Sequence, residues 1–389
     1  MRLSSMAEDV IIYTPMYVTF FWAVILLMTK RENNRARFFL GVFMTVAFLL
    51  YFSHAVFFQK IISVYTIFDS VYIFTSLSVY PLYYWYIRLL SVDTKYNLEN
   101  LRLFIPALVF SLISLVLYLL MSDTEKVDYF TGFFTKTNTE VTFTSRMQFQ
   151  RINFMASRLI FAVQVFYFLY FGSRLVKNYH KKIENFYSNL ETRSILWVNI
   201  LLYSLVITSL MSIVFNIIGR SYFMGSKTFL IFPSVIFSVL LFLIGFLGYM
   251  QNHTVTDLEL DEGINNDINP KNDSIGKLNE KLINLFKNEE VYKNPDLKIT
   301  QVSDLLHSNR TYISKHINTE FGCTFSDFVN RYRIEEAKRL LTIESSKNYS
   351  LNYISEKSGF GSMGSFMRVF RDFEGITPGQ YREKNLQND

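Results

Sequence analysis

The chain has 389 residues, enough for two domains of ordinary size, and half of them are hydrophobic, with 39 Phe and 25 Tyr. Most of the apolar excess precedes about residue 250, in repeated runs of 18 or more residues without a central charge, which excludes a wholly soluble protein. The formal net charge is +6, of which residues 271–389 contribute only +2, from 18 basic and 16 acidic residues. A single cysteine, Cys323, excludes an intrachain disulfide and a cysteine-rich metal site, and we expect it to be a small buried hydrophobic residue.

The N-terminal tract MRLSSMAEDV lacks the features of a cleavable secretory signal. Arg2 is its one basic residue, Glu8 and Asp9 are acidic, and no small-residue cleavage site follows the first apolar run. We therefore expect the first apolar helix to be retained.

Seven apolar stretches are each long enough to cross about 30 Å of hydrocarbon as an α-helix. They lie near residues 10–29, 38–58, 67–87, 103–121, 155–176, 195–218 and 229–250. We therefore predict an N-terminal, all-α bundle of about seven transmembrane helices over residues 1–250, which would act as a sensor and an anchor.

The distribution of Lys and Arg between the loops predicts the orientation of this bundle. The loops after the first, third and fifth predicted spans hold 12 Lys and Arg, against 7 in the alternate loops. Four of those seven lie in one long loop, residues 122–154, where the rule is weak. We therefore expect a multi-pass protein of the inner (cytoplasmic) membrane with its N-terminus outside and the chain after residue 250 in the cytoplasm.

Four polar residues lie at a similar depth near the outer ends of predicted spans. They are His54, Asp69, Arg158 and Asn216. One interpretation is that they reach the membrane interface or hold neighbouring helices together. The other is that they line a small extracytoplasmic pocket that binds a ligand, because polar groups inside a membrane are costly and often functional.

The N-terminal half contains no motif of a known catalytic site. GxSxG, HExxH and phosphate-loop patterns are all absent from its sequence. We therefore expect the protein not to be an enzyme, and we expect no cofactor and no bound metal.

The composition changes abruptly in residues 251–275, where six acidic residues stand against one lysine. Such a stretch cannot bury enough apolar surface to order itself. We predict a flexible acidic linker, and a protease-sensitive release site is the alternative.

Helical periodicity returns in residues 276–389, which we predict to be a separate all-α domain. Thr300 is a candidate N-cap for one short helix and Asn309 for the next, with a tight turn between them. Gly322 fits a left-handed position at the end of the second helix. Two short helices across a tight turn are typical of a helix-turn-helix.

The same pattern occurs a second time, with Ser350 and Ser362 as candidate caps. A longer helix, residues 325–341, joins the two units and starts at a tract that resembles a capping box, from Thr324 to Asp327. We predict that the basic side chains of this helix lie on its outer face, opposite an apolar stripe. They are Arg331, Arg333, Lys338 and Arg339.

This C-terminal region resembles the AraC/XylS-type DNA-binding domain over about 110 residues, under a third of the chain. In the first unit the matching residues are Ser308 to Lys315, Phe321, Gly322, Arg333, Ala337 and Leu341. In the second unit, which matches best, they are Ile354, Gly359, Phe360, Ser365, Phe366, Arg368, Val369, Phe370, Gly375, Thr377, Pro378, Tyr381 and Arg382. The bundle resembles the multi-span sensors fused to such domains in some bacteria by architecture alone.

The resemblance implies two recognition helices on one monomer, which read major-groove segments about 34 Å apart. The candidate DNA-binding residues that it implies are Arg310, Thr311, Ser314 and Lys315 in the first unit and Met363, Gly364 and Arg368 in the second. An arginine can pair with guanine and a methionine can contact a thymine methyl group. Contact with phosphate, or simple solvation, stays open for the basic residues, and Gly364 has no side chain that could read a base.

We predict a one-component signal transducer, a sequence-specific transcription regulator that couples a signal sensed in or across the membrane to gene expression. The expected partners are double-stranded DNA, the lipid bilayer, a second copy of the chain, an unidentified small-molecule or membrane signal, and RNA polymerase. The small net charge of residues 271–389 predicts modest affinity of a monomer for DNA, which dimerisation would compensate. The alternative is a membrane receptor or transporter whose helix-turn-helix module binds a protein partner.

Overall fold

A computed structural model describes residues 8–28, 35–59, 61–91, 98–135, 141–190, 196–218, 222, 227–250, 275–343 and 349–386. The chain divides into two compact units. The bundle unit consists of Met1–Val176 and Leu196–Val255, and the C-terminal unit consists of Lys177–Ile195 and Thr256–Asp389. All named elements within the described residues are helices, which confirms the all-α fold class. Most of the predicted linker, residues 251–274, lies outside the described residues.

Among the described residues of the bundle unit we number eight α-helices in chain order. They are α1 (Thr14–Leu27), α2 (Arg35–Phe58), α3 (Ile62–Ser91), α4 (Ile105–Leu120), α5 (Asp123–Tyr129), α6 (Ser145–Glu184, whose last turns belong to the C-terminal unit), α7 (Leu196–Ile218) and α8 (Ile231–Met250). Each predicted span overlaps one of these helices. Helix α1 packs against α2 and α8, α2 against α3, and α3 against α4.

Four helical stretches in the described part of the chain are long and apolar enough to cross a membrane. They are Ala36–Phe58, Glu99–Leu120, Ser145–Glu184 and Thr228–Met250, and α1 is a shorter apolar helix. Large apolar side chains also point away from the bundle, with exposed fractions of 74% at Leu119 and 71% at Phe232. Large exposed apolar surfaces are typical of membrane or protein interfaces. The count of seven spans stays a prediction.

Polar side chains join helices inside the bundle. The hydroxyl of Tyr118 in α4 donates a hydrogen bond of 2.9 Å to the carboxylate of Asp69 in α3, and both residues are buried. Ser114 accepts a bond of 2.7 Å from the side-chain amide of Gln150 in α6. Buried polar groups of this kind need partners, and here the partners come from neighbouring helices.

In the C-terminal unit we number seven further α-helices among the described residues. They are α9 (Ile275–Lys287), α10 (Ile299–Leu305), α11 (Arg310–Glu320), α12 (Phe325–Thr342), α13 (Leu351–Lys357), α14 (Met363–Glu374) and α15 (Pro378–Leu386). Helices α10 and α11 form one helix-turn-helix, α13 and α14 form the other, and α12 joins them, as predicted.

Local capping explains where most of these helices begin. The side chains of Asn309, Ser350 and Ser362 accept hydrogen bonds from backbone N–H groups two or three residues later, and Thr324 forms a capping box with Asp327. The prediction for Thr300 was wrong. Helix α10 begins at Ile299, and the Gln301 side chain accepts the Lys298 N–H instead.

A compact apolar core holds the second helix-turn-helix against α12. Its buried members are Ile334, Ala337, Leu341, Ile354, Phe360, Phe366, Val369 and Phe370. Gly322 and Gly375 adopt left-handed φ angles of 64° and 75° at helix ends. Cys323 is half-buried, less than predicted, and burial raises the pKa of its thiol.

Candidate nucleic-acid interface and bundle cavity

The first helix-turn-helix is oriented by the buried side of α11. Ile313 and Ile317 are fully buried, so the opposite side of the helix faces away from the core. The Asn309 side chain accepts a hydrogen bond of 2.8 Å from the Thr311 N–H and fixes the start of the helix. A helix placed in this way presents its first two turns outward, as groove recognition requires.

The structure brings the four predicted contact residues of the first unit together. Arg310, Thr311, Ser314 and Lys315 line one cleft of about 850 Å³. Thr311 and Lys315 are exposed, whereas Arg310 and Ser314 are half-buried. The two exposed residues are therefore accessible, and the other two are partly covered.

The second helix-turn-helix exposes two of its three predicted contact residues. Gly364 and Arg368 are exposed, whereas Met363 is half-buried and packs against the apolar core of α12 and α14. A side chain that fills the core has less freedom to reach a base. Of the predicted contact residues Met363 and Arg368, Arg368 is therefore the accessible one.

The two recognition helices repeat one arrangement. Thr311, Lys315 and Asn318 follow the N-cap of α11 by two, six and nine residues, and Gly364, Arg368 and Arg371 follow the N-cap of α14 by the same offsets. Residues at such spacings share one helix face. Sequence reasoning missed Asn318 and Arg371, although counting from the two N-caps would have found them.

Arg333 lies beneath the surface rather than on it, so its predicted outward position was wrong. Its side chain is almost fully buried and its Nη2 donates a hydrogen bond of 2.7 Å to the carbonyl oxygen of Asn294. The guanidinium carbon also lies 5.8 Å from the centre of the Phe360 ring. Burial lowers the pKa of Arg333 to about 10, so the group stays charged at neutral pH.

A segment that the sequence did not assign to this unit packs against it. Residues 185–189, which we call the docked segment, follow α6 directly. The Ser188 N–H donates to the Leu297 carbonyl (3.1 Å), the Ile299 N–H donates to the Phe186 carbonyl (3.0 Å), and Tyr187 forms an antiparallel bridge with Lys298. These bonds place one extended stretch beside the start of α10.

The bundle unit contains a cavity of about 200 Å³. Of the four predicted sensing residues, His54 and Arg158 line it, together with Tyr72, Tyr80, Thr208 and Ser212. Asp69 instead bonds to Tyr118 and does not line it, and the side chain of Asn216 lies outside the described residues. The guanidinium carbon of Arg158 lies 4.2 Å from the centre of the Phe154 ring, a cation–π contact.

Comparison with known protein families supports the helix-turn-helix assignment. Residues 302–384 match the family model of a helix-turn-helix domain. That range runs from α10 to α15 and contains both recognition helices. The C-terminal unit therefore carries an AraC-type helix-turn-helix domain.

Two relatives match this chain over a length similar to that of the family model. The uncharacterized HTH-type transcriptional regulator YtdP of Bacillus subtilis (strain 168) is 34% identical over 89 residues, 23% of this chain and 11% of that protein. The uncharacterized transcriptional regulatory protein YesN of the same organism is 34% identical over 106 residues, 27% of this chain and 28% of that protein. The chain thus spans less than a third of the length of these relatives. The crystal structure of the C-terminal domain of the response regulator yesN from Fusobacterium nucleatum is 29% identical, with a TM-score of 0.25, over 27% of this chain and 98% of that one.

Proposed function

We propose that this chain is a membrane-bound, sequence-specific DNA-binding transcription regulator, a one-component signal transducer. The observation that carries the proposal is the repeated arrangement of α11 and α14, which present outward residues at identical offsets from their N-caps. Two equivalent helices on one compact unit suit two neighbouring segments of a major groove. The matching relatives YtdP and YesN are named transcriptional regulators, in agreement with this role.

The exposed residues of the two recognition helices have the chemistry that DNA contact needs. Lys315, Arg368 and Arg371 supply positive charge for phosphates, and an arginine can also pair with guanine. Thr311 can contact a base edge or a thymine methyl group. Arg310 and Ser314 are half-buried, so they could contact DNA only after the residues that cover them move away.

The bundle unit supports the proposed location of the protein in a membrane. Four of its helical stretches are long and apolar enough to span a bilayer, and the basic loops favour a cytoplasmic C-terminal unit with the N-terminus outside. Residues 271–389 carry a net charge of only +2, so one copy would bind DNA weakly. We therefore propose a homodimer, in which two linked binding units raise the affinity, and RNA polymerase as the partner of the DNA-bound form.

The bundle cavity is the candidate sensing site of this regulator. Its lining is mainly aromatic and aliphatic, it carries the basic groups of Arg158 and His54, and none of the described residues that line it is acidic. An apolar pocket with a fixed positive group selects a small apolar molecule with one negative group. A volume of about 200 Å³ lies below the ~300–1,000 Å³ of pockets for drug-sized ligands. We therefore propose a small aliphatic or aromatic carboxylate as the ligand class.

A genome-wide map of DNA sites crosslinked to the full-length protein in its own cells tests the DNA-binding proposal. The variant Lys315→Ala/Arg368→Ala removes one exposed cation from each recognition helix. The control Lys287→Ala/Lys384→Ala removes the same charge from exposed positions on α9 and α15. We expect discrete sites that vanish in the first variant and persist in the control.

The alternative function makes the opposite prediction for the same map. A receptor or transporter whose helix-turn-helix module binds a protein would give no discrete DNA sites with either variant or with the unaltered protein. That outcome, with the protein present in the membrane, would overturn the proposed DNA binding.

Thermal stability of the purified protein with a series of small carboxylates tests the cavity. We expect some carboxylates to raise the melting temperature, their uncharged amides to have no effect, and Arg158→Gln to abolish the shift. Arg174→Gln is the control, because Arg174 lies on the same helix but is exposed outside the cavity. Equal shifts from carboxylates in Arg158→Gln and in the control would contradict the proposed role of Arg158.

A further inference from the structure

The docked segment reaches the face of α11 that DNA would occupy. The Asn318 side-chain amide donates a hydrogen bond of 3.2 Å to the side-chain oxygen of Asn185. The guanidinium carbon of Arg310 lies 5.7 Å from the centre of the Phe186 ring. Arg310, a predicted contact residue, and Asn318, one of the residues at the repeated offsets, are therefore both engaged by the chain itself.

The remainder of the segment is anchored in the domain. Phe186, Tyr187 and Ser188 are buried, with exposed fractions of 2–4%. Arg333 donates a hydrogen bond of 3.2 Å to the Ser188 hydroxyl, and the Ser326 hydroxyl donates one of 3.2 Å to the Ser188 carbonyl. At the far end Asn189 lies against the turn of the second helix-turn-helix, where a Cβ added to Gly361 would come within 2.6 Å of its amide nitrogen. A segment with this many specific contacts has one defined place on the surface.

We infer that residues 185–189 hold the first recognition helix closed and compete with DNA for it. The inference rests on the proposed DNA binding. A major groove is about 12 Å wide and a helix with its side chains measures about 10–12 Å, so a recognition helix fills the groove. A second stretch of chain bonded to Asn318 leaves no room for the groove wall on that side.

The charges around the cleft oppose the closed form. Four basic residues line one cleft: Lys181 and Lys182 near the end of α6, and Arg310 and Lys315 in α11. Among the described residues of its lining, Asp327 is the acidic one. Like charges in one cleft oppose the docked state, and DNA phosphates attract the same cations. The balance between the two forms is therefore sensitive to small changes in the segment.

Chain connectivity supplies a route for regulation. Helix α6 is one continuous helix of 40 residues, which carries Arg158 in the bundle cavity and ends one residue before Asn185. A ligand beside Arg158 would therefore contact the same helix that leads into the docked segment. The proposed ligand site and the docked segment thus lie on one helix and on the residues that directly follow it.

A disulfide trap in the full-length protein tests the competition. In a Cys323→Ser background, Asn185→Cys and Asn318→Cys place two thiols at the positions of the hydrogen-bonded pair. We expect them to crosslink under mild oxidant, and we expect the oxidised protein to lose at least about tenfold in occupancy of its mapped DNA sites, with recovery on reduction. A tenfold loss corresponds to a tenfold fall in the population of the open form.

The controls for the trap are the two single-cysteine proteins under the same oxidant, which should keep their occupancy. Failure of the pair to crosslink, or full occupancy by the crosslinked protein, would overturn the inference. Neither result affects the proposed function, because the reduced protein and the unaltered protein report DNA binding by themselves. Absence of sites both in the unaltered protein and in Asn185→Ala, in which the docked segment is loosened, would instead refute the proposed function.

A second variant weakens the docking of the segment without altering α10 to α15. Asn185→Ala removes the bond to Asn318 from the segment side only. We expect occupancy of weak mapped sites to rise several-fold, since the open form becomes more populated. Unchanged or reduced occupancy would count against competition, and would indicate that the segment supports the DNA-binding surface.

Discussion

Arg333 donates a hydrogen bond of 2.8 Å from its Nε to the backbone carbonyl oxygen of Tyr292. Tyr292 precedes the first helix-turn-helix, and Arg333 lies in α12, which joins the two units. The same side chain bonds to Asn294 and faces the Phe360 ring of the second unit. One buried cation therefore fixes the positions of both helix-turn-helix units.

Replacement of Arg333 by Met should destabilise the C-terminal unit by about 2–4 kcal/mol, because two backbone carbonyls would each lose a buried partner. Protease resistance of the C-terminal unit as a function of urea concentration, in the full chain, measures the change. The control is Arg331→Met, at an exposed position two residues away on the same helix. A similar urea midpoint for both variants would show that the buried bonds contribute little.

Gly359 is expected to tolerate no side chain. Its φ angle is +87°, and an added Cβ would lie 2.5 Å from the Tyr292 carbonyl oxygen, which is backbone and cannot move aside cheaply. Gly375 has a similar φ of +75° with open space around it, so Gly375→Ala should cost only the left-handed strain of about 1–2 kcal/mol. We expect a clearly lower melting temperature for Gly359→Ala than for Gly375→Ala. Equal melting temperatures would mean that the close approach at Gly359 relaxes freely.

Arg371 should prove to be a DNA contact, although the sequence analysis did not single it out. The variant Arg371→Ala should weaken binding to a mapped site by about 1–3 kcal/mol if the side chain reads a base, and should reduce the salt dependence by about one charge if it contacts phosphate. Titration of a labelled duplex at several salt concentrations distinguishes these effects. Lys384→Ala, which removes an exposed charge from α15, should change neither quantity.

Glu336 should contribute to the acid sensitivity of the C-terminal unit. Its carboxylate accepts two hydrogen bonds from Arg339, of 2.7 and 2.8 Å, which, together with the charge of Lys293, lower its pKa below the usual 4.5. A lower pKa in the folded state means that ionised Glu336 stabilises the fold, fully above the unfolded-state pKa. That contribution is lost as the pH falls through the folded-state pKa.

The variant Glu336→Gln should therefore be less stable at neutral pH and should lose less stability between about pH 5 and pH 3. Urea midpoints across this pH range measure both effects. Glu335→Gln, at a side chain that is 72% exposed, is the matched control and should behave like the unaltered protein. Parallel pH profiles for Glu336→Gln and the unaltered protein would contradict the assignment.

The predictions that succeeded depend on neighbours in the sequence. Caps at Asn309, Thr324 and Ser362 involve groups two or three residues away, so the residue types and their spacing suffice. The buried side of α11 was predictable in the same way, because Ile313 and Ile317 lie one helical turn apart and both are buried; the contact residues on its other side stay a prediction. Met363 was predicted as a contact, but a residue near the start of a helix can face either the groove or the core.

The predictions that failed, or were never made, depend on residues far apart in the chain. The basic stripe of α12 gave no sign that Arg333 bonds to a serine 145 residues earlier. Asp69 and Arg158 have similar positions in their spans, yet one bonds to Tyr118 and the other lines the cavity. Contacts between residues far apart in the chain decide such outcomes, and a single sequence does not show which distant residues pair.

The separation in sequence between Ser188 and Arg333 also determines the order in which the parts of the closed form are synthesised. The ribosome makes Ser188 145 residues before Arg333, which at about 5–20 residues per second corresponds to roughly 7–29 s. The docked segment is therefore already present when its receiving surface emerges and folds. Each newly synthesised molecule would therefore adopt the closed form before it contacts DNA, so the closed form would be the starting state of the protein.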